Sequence, residues 1–192
     1  MSLKTQKLKS GYGATFHRIY SVKITAEAEQ IVAALLAVKS DLNQFSPQLL
    51  ARFEKIKGIS DELKNNDEYL IHITGPWDGP VRVSEVSQDS FRLVTLDGHL
   101  EAGEICFQIK STETNQYTFE IESLARSRDA IVDFVYDKIP IAKLAQTEMW
   151  TQYCLNFAKH VLKNETDEKI ELPEVHVLTE KFDQETGQWQ KL

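Results

Sequence analysis

Apolar and polar side chains alternate through the middle of the chain. Ile105, Phe107 and Ile109 are interleaved with Cys106 and Gln108, and Tyr117, Phe119 and Ile121 with Thr118, Glu120 and Glu122. Alternation of this kind belongs to antiparallel strands with one dry face and one wet face. Residues 68–73, 81–86 and 91–96 read as further strands. The links between these runs are short and turn-like, including Gly75 to Pro80 and Ser87 to Ser90, so a meander is predicted. An earlier strand is expected over 17–24, with Tyr20, Val22 and Ile24 on one face.

The period changes to helical in several places. Thr25 can cap a helix carrying Ile31, Val32, Leu35, Leu36 and Val38. A second helix is predicted from Ser46 as N-cap and Pro47 at the first position to Gly58 as the stop, with the stripe Leu49, Leu50, Phe53 and Ile56. Ile131, Val132, Phe134 and Val135 form a short apolar patch ending near Pro140. From there runs the longest stripe in the chain, with Ile141, Leu144, Ala145, Trp150, Tyr153, Cys154, Phe157, Ala158, Val161 and Leu162. Residues 1–13 read as a loose arm. The stretch after Asn164 holds eight Asp and Glu against three Lys and carries a hairpin-like pattern over 175–189.

Composition narrows the class. A chain of 192 residues suits one domain with an appendage, large enough for a core without disulfide staples. The net charge of -7, from 22 basic and 29 acidic residues, argues against nucleic acid and against anionic membrane surfaces as partners. Cys106 and Cys154 are far apart in apolar segments, as expected of free thiols in a reducing cytoplasm. No stretch is apolar enough for a signal peptide or a membrane span.

The order of elements, and above all Val94 to Phe107, carries a resemblance. Thr95, Leu96, Gly98, His99, Glu101, Gly103, Glu104 and Phe107 match the string Gly-Thr-Leu-x-Gly-His-Pro-Glu-x-Gly-Glu-x-x-Phe. That string marks an uncharacterised bacterial and plant family of unknown function. The family lies within the START-like and birch-pollen-allergen-like (SRPBCC, helix-grip) superfamily. Val94 replaces the first Gly of the string and Leu100 its Pro, while Glu122 to Arg126, Pro140 and Tyr153 are similar to the same family's later segment. The resemblance covers roughly residues 17–163. It implies an α+β helix-grip fold, an antiparallel sheet wrapped around a long C-terminal helix, with two short helices after the first strand. The domain is expected over 14–163, with 164–192 as an acidic extension. The resemblance also implies a cavity between sheet and helix that takes a small hydrophobic or amphipathic ligand, lipid included.

The residues themselves leave chemistry open. Asp97, His99, Glu101 and Glu104 fall within eight positions. A His beside carboxylates suits a general base or a metal site, whereas polar side chains in a turn more often satisfy backbone groups. Arg126 at a strand end suits either an anionic head group or a nearby carboxylate. The expected ligand-binding set is His99, Glu101, Glu104 and Arg126 at the cavity mouth, with Phe107, Phe119, Trp150, Tyr153 and Phe157 as apolar lining. Trp150, Tyr153 and Phe157 equally suit plain core. No metal or cofactor is expected, and a homodimer is compatible. Two alternatives stand beside the binder. One is a hydrolase- or cyclase-type enzyme using His99 with Glu101 or Glu104. The other is a protein-interaction module using the acidic tail.

Overall fold

The computed structural model describes residues 3–59, 61–73, 78–130, 132, 140–163, 171–183 and 186–192. Strand β1 (Tyr12–Thr25) leads into helix α1 (Ala28–Ser40). Strands β2 (Ala51–Lys57), β3 (Glu68–Ile73), β4 (Asp78–Val86), β5 (Ser90–Thr95), β6 (Glu101–Glu113) and β7 (Gln116–Ser127) follow. Helix α2 (Pro140–Leu162) and the hairpin β8 (Val175–Asp183) and β9 (Gln188–Lys191) complete the chain. Among the described residues the strands form one sheet in the order β2-β3-β4-β5-β6-β7-β1-β8-β9. Every neighbouring pair is antiparallel. The sheet is therefore a meander into which β1 inserts between β7 and the C-terminal hairpin.

One face of the sheet is dry. Tyr20, Val22 and Ile24 of β1, Phe119 and Ile121 of β7, Phe107 of β6, and Phe91 and Leu93 of β5 are buried on it. Helix α2 lies across this face, and Trp150, Tyr153, Cys154, Phe157, Ala158 and Val161 are buried beneath it. Burying each large aromatic side chain contributes about 1.5–3 kcal/mol, so α2 is the main fastening of the core. Phe119 stacks on Phe157 with centroids 4.0 Å apart, and Phe45 meets Phe157 and Tyr153 edge-on. Helix α1 buries Ile31, Ala34, Leu35 and Val38, while Val32 and Leu36 stay exposed. Its N-terminus is closed at Glu27 rather than Thr25, through a reciprocal capping box with Gln30. The Gln30 amide also donates to Val161 O at 3.1 Å, joining α1 to the last turn of α2.

The predicted second helix over 46–58 is not formed. Pro47 opens a single turn, in which Leu50 N and Ala51 N donate to Pro47 O at 2.7 and 3.1 Å. From Ala51 the chain is strand β2, paired with β3. Ala51 and Phe53 point into the core, and Arg52 and Glu54 point out. The Ser46 hydroxyl donates to Ala51 O instead of capping. The Asn43 side chain accepts from Phe53 N and donates to Phe53 O, both at 2.8 Å, so its amide stands in for a neighbouring strand on this sheet edge. A seven-residue run with few apolar positions fits either period, and pairing with β3 decides it.

The arm is likewise pinned rather than loose. Thr5 bridges Leu96, and Gln6 N donates to Thr95 O at 2.8 Å. Of the turn expected over Gly75 to Pro80, residues 75–77 lie outside the described residues and Asp78 to Pro80 already belong to β4; most of the patch before Pro140 also lies outside them, and Val132 is buried.

Candidate functional site

The loop between β5 and β6 is a built structure. Gly98 takes φ +102, which lets His99 N donate back to Leu96 O at 3.0 Å. The Gln6 amide donates to His99 O at 3.0 Å and to Glu101 O at 2.8 Å. On the other side Arg128 N donates to Leu100 O at 2.8 Å. Inside this clamp the His99 ring is buried. Its Nδ1 lies 2.9 Å from Glu101 N and 3.1 Å from Glu101 O; a backbone N–H can only donate, so in the neutral ring Nδ1 accepts from it and the proton sits on Nε2. Burial lowers its pKa, against the pull of Glu101. With the Nδ1 lone pair occupied, His99 presents a donor at Nε2 and no free basic nitrogen.

The four expected head-group residues do not form one cluster. Glu101 follows His99 and turns to the inner face, where its carboxylate meets Arg18 Nη1 at 3.4 Å and Gln146 Nε2 of α2 at 3.3 Å. Glu104 turns to the outer face and accepts from Arg92 Nη1 at 2.6 Å. Arg126 donates from Nε to Gly13 O at 2.9 Å and from Nη2 to the same oxygen. Phe107, Phe119, Trp150, Tyr153 and Phe157 do gather, as one set of ring contacts in the core. The Tyr153 hydroxyl donates to Leu42 O at 3.1 Å, and burial pushes its pKa up.

Beside these rings lies a polar patch that the sequence reading missed. Arg18 and Ser123 face each other across β1 and β7, and Tyr20 follows Arg18 on the same face. Ser123 is also opposite Ile105 of β6, two positions before Phe107, whose ring lies 5.6 Å from Trp150. Trp150 stands one helical turn beyond Gln146. The register thus gathers Arg18, Tyr20, Glu101, Ser123, Gln146 and Trp150 under α2.

Three atoms of this patch, Tyr20 Oη, Ser123 Oγ and Trp150 Nε1, are buried with no hydrogen-bond partner among the described residues. Tyr20 is 1%, Ser123 7% and Trp150 5% exposed. Burial raises the Tyr20 pKa, and Thr147 stands close enough to oppose that rise without reaching hydrogen-bond geometry. A buried polar atom left unpaired costs about 1–3 kcal/mol, so three together call for an explanation. A signal was present in the sequence. Arg18 shares the parity of Tyr20, Val22 and Ile24, and Ser123 that of Phe119 and Ile121, which places polar groups in a dry register.

The outer face holds a separate concavity of about 360 Å³, lined by His17, Arg92, Glu104, Glu122, Leu124 and Trp189. Its charges are paired within it, His17 with Glu122 and Arg92 with Glu104. Among the described residues no group of three or more His, Cys, Asp or Glu side chains is placed to hold a metal ion. Cys106 and Cys154 are free and buried, and burial raises both thiol pKa values. Among the described residues no helix is long and apolar enough to cross a membrane.

Comparison with known proteins bears on the fold. The family model described as "Domain of unknown function (DUF1990)" matches residues 15–156. No curated protein sequence matches the chain. Norcoclaurine synthase from Thalictrum flavum superposes with a TM-score of 0.53 at 13% identity, covering 87% of this chain and 98% of that one. A START superfamily protein from Mycobacterium smegmatis superposes with a TM-score of 0.51 at 12% identity, covering 76% and 97%. Ara h 8.0201 gives 0.50 at 7% identity, covering 78% and 99%. At these identities the likeness is one of fold, and it places the chain in the START-like architecture.

Proposed function

Since the chain belongs to the DUF1990 family, a domain of unknown function here built on a START-like fold, we propose that it binds a small apolar or amphipathic ligand between the sheet and α2. The observation that carries this reading is the trio of buried, unpartnered polar atoms Tyr20 Oη, Ser123 Oγ and Trp150 Nε1. A fold that only needed a core would have apolar side chains there, because replacing unpaired polar groups by apolar ones of similar shape is stabilising. Retained polar groups beside aromatic surface are the composition of a ligand site, mostly apolar with a few placed polar groups. Of the expected set, Glu101 with Arg18 supplies the polar end, and Phe107, Trp150 and Tyr153 the apolar wall. His99 acts from behind, fixing the backbone from which Glu101 projects. The fold accommodates small molecules elsewhere: the norcoclaurine synthase structure is a complex with dopamine and hydroxybenzaldehyde.

Native mass spectrometry of the gently purified full chain tests the reading. The expected result is a stoichiometric small-molecule adduct that is lost in the Tyr20→Phe, Ser123→Ala double variant while the fold, followed by circular dichroism, is kept. An adduct unaffected by that variant would move the site away from the inner patch.

A further inference from the structure

We infer that the inner site takes a neutral head group bearing an acceptor oxygen, a carbonyl or hydroxyl, on a flat apolar body. The inference rests on the proposed binding between sheet and α2 and adds the chemical class. Indole Nε1–H donates only, and each of the Tyr20 and Ser123 hydroxyls carries one proton to give. The carboxylate acceptor of the patch, Glu101, already faces Arg18 at 3.4 Å and Gln146 at 3.3 Å. None of the three meets a partner in hydrogen-bond geometry among the described residues; the two hydroxyls can donate or accept, but the Trp150 indole can only donate, so the ligand atom that satisfies it is an acceptor.

Charge decides which acceptor. Arg18, 7% exposed, is balanced by Glu101. A carboxylate or phosphate would add a second negative charge beside Glu101 in a dry environment, where like charges repel strongly and desolvation of the newcomer is costly. The orphan groups are all neutral and hold no compensating positive charge. A ketone, aldehyde or alcohol oxygen accepts from them without disturbing the Arg18–Glu101 balance.

The body of the ligand follows from the neighbouring rings. Phe107 lies edge-on to Trp150 at 5.6 Å and stacks on Phe91 at 4.6 Å, so flat aromatic rings stand next to the donors. Flat aromatic surface is best complemented by another ring or a planar conjugated system.

The test uses three probes of matched size, acetophenone, benzoate and ethylbenzene, titrated into the ¹⁵N-labelled full chain. The readout is the Trp150 indole N–H resonance, assigned by elimination with Trp77→Phe and Trp189→Phe, since the chain has three Trp. Acetophenone is expected to move that resonance downfield and to bind at least about tenfold tighter than the other two probes, the sum of one or two gained hydrogen bonds. Ser123→Ala is expected to weaken acetophenone by about fivefold and leave ethylbenzene unchanged. Benzoate binding at Trp150 as tightly as acetophenone, or ethylbenzene doing so, overturns the neutral acceptor class and leaves the inner site standing. If no probe moves the Trp150 resonance up to its solubility limit, the inner site itself falls, and this inference with it.

Discussion

His17 Nε2 of β1 lies 2.7 Å from Glu122 Oε1 of β7, and the other ring nitrogen, Nδ1, lies 3.1 Å from Glu180 Oε2 of β8. A neutral imidazole has one N–H and serves one carboxylate; only the imidazolium donates to both. Burial opposes that charge, but the bonds to Glu122 and Glu180 outweigh it and raise the pKa of His17. At the other end of the sheet His72 of β3 sits between Glu54 of β2 at 2.7 Å and Asp78 of β4 at 2.9 Å, and these bonds raise its pKa too. Each end of the outer face is thus held across three strands by one protonatable ring.

The sign of the pH dependence follows. A histidine whose folded pKa is raised contributes fully below its unfolded value of about 6.5, and the contribution disappears as pH rises through the folded pKa. The Tm difference between the wild-type chain and His17→Gln is therefore expected to be largest near pH 6 and to shrink as pH rises to about 8. A difference that stays constant over that range shows the ring acting as a neutral spacer. The same series with His72→Gln should run parallel but smaller, since that ring is solvent-screened.

His99 titrates in the opposite sense. Its folded pKa is lowered by burial, so its contribution is present above about pH 6.5 and is lost as pH falls through the folded value. The imidazolium would have to give up the bond from Glu101 N. Gly79 makes the same ring sensitive to volume: a Cβ there would stand 2.6 Å from His99 Cδ2 and Nε2. Gly79→Ala is expected to cost about 1–3 kcal/mol by overpacking. That cost should fall in the Gly79→Ala, His99→Ala double variant, because the two sites share one contact. Strict additivity of the two changes, measured by chemical denaturation, would disconnect the glycine from the histidine.

Much of this fold was legible along the chain because period carries face. The alternation of 105–109 and 117–122 gave strands whose dry face carries the buried Phe107, Phe119 and Ile121, and the Trp150 to Val161 stripe gave the helix that covers them. What period does not carry is pairing. Phe53 obeys either period, and only the partner β3 and the Asn43 amide make it a strand. The expected polar cluster is divided for a similar reason. Glu101 and Glu104 are three apart on one strand, so they have opposite parity and must leave the sheet on opposite faces, Glu101 to Arg18 and Glu104 to Arg92. Along a pleated strand, nearness in sequence is not nearness in space. Arg18 was hidden because its partner Glu101 lies 83 residues away, a distance that only the inserted position of β1 closes.

The hairpin tests how separable the extension is. Strand β8 pairs with β1 from Thr15 to Val22, yet none of its side chains is buried. It supplies backbone hydrogen bonds and the His17–Glu180 contact more than core. Truncation after Lys163 is expected to keep a cooperative thermal transition for the domain over 14–163, with Tm lower by less than about 10 °C. The uncovered β1 edge should then promote self-association, visible by size-exclusion chromatography at high concentration. Loss of the cooperative transition would make the hairpin part of the folding unit.

Gly103 provides the sharpest test of why the loop segment has its sequence. As the close of a turn it would need φ freedom, and replacement would be mild. The structure places it inside β6, opposite Ala125 of β7, where the neighbouring backbone leaves no room for a side chain. A Cβ on Gly103 would stand 2.1 Å from Leu124 O and 2.7 Å from Ala125 Cα. Neither atom belongs to a flexible side chain, so the strain cannot be relieved by a rotamer change. Gly103 N also donates to Thr95 Oγ1 at 3.0 Å, which ties β6 back to the end of β5 and leaves little room for the strand to shift outward. Gly103→Ala is therefore expected to cost about 3 kcal/mol, the upper end of overpacking penalties, and Gly103→Val to prevent folding. Gly98→Ala, where the nearest heavy atom to a Cβ is Pro80 Cγ at 3.8 Å and the penalty comes from φ +102 alone, should cost about 1–2 kcal/mol. Urea denaturation of the two variants side by side checks the ordering. A Gly98 variant less stable than the Gly103 variant would make turn conformation, and not strand approach, the constraint on this segment.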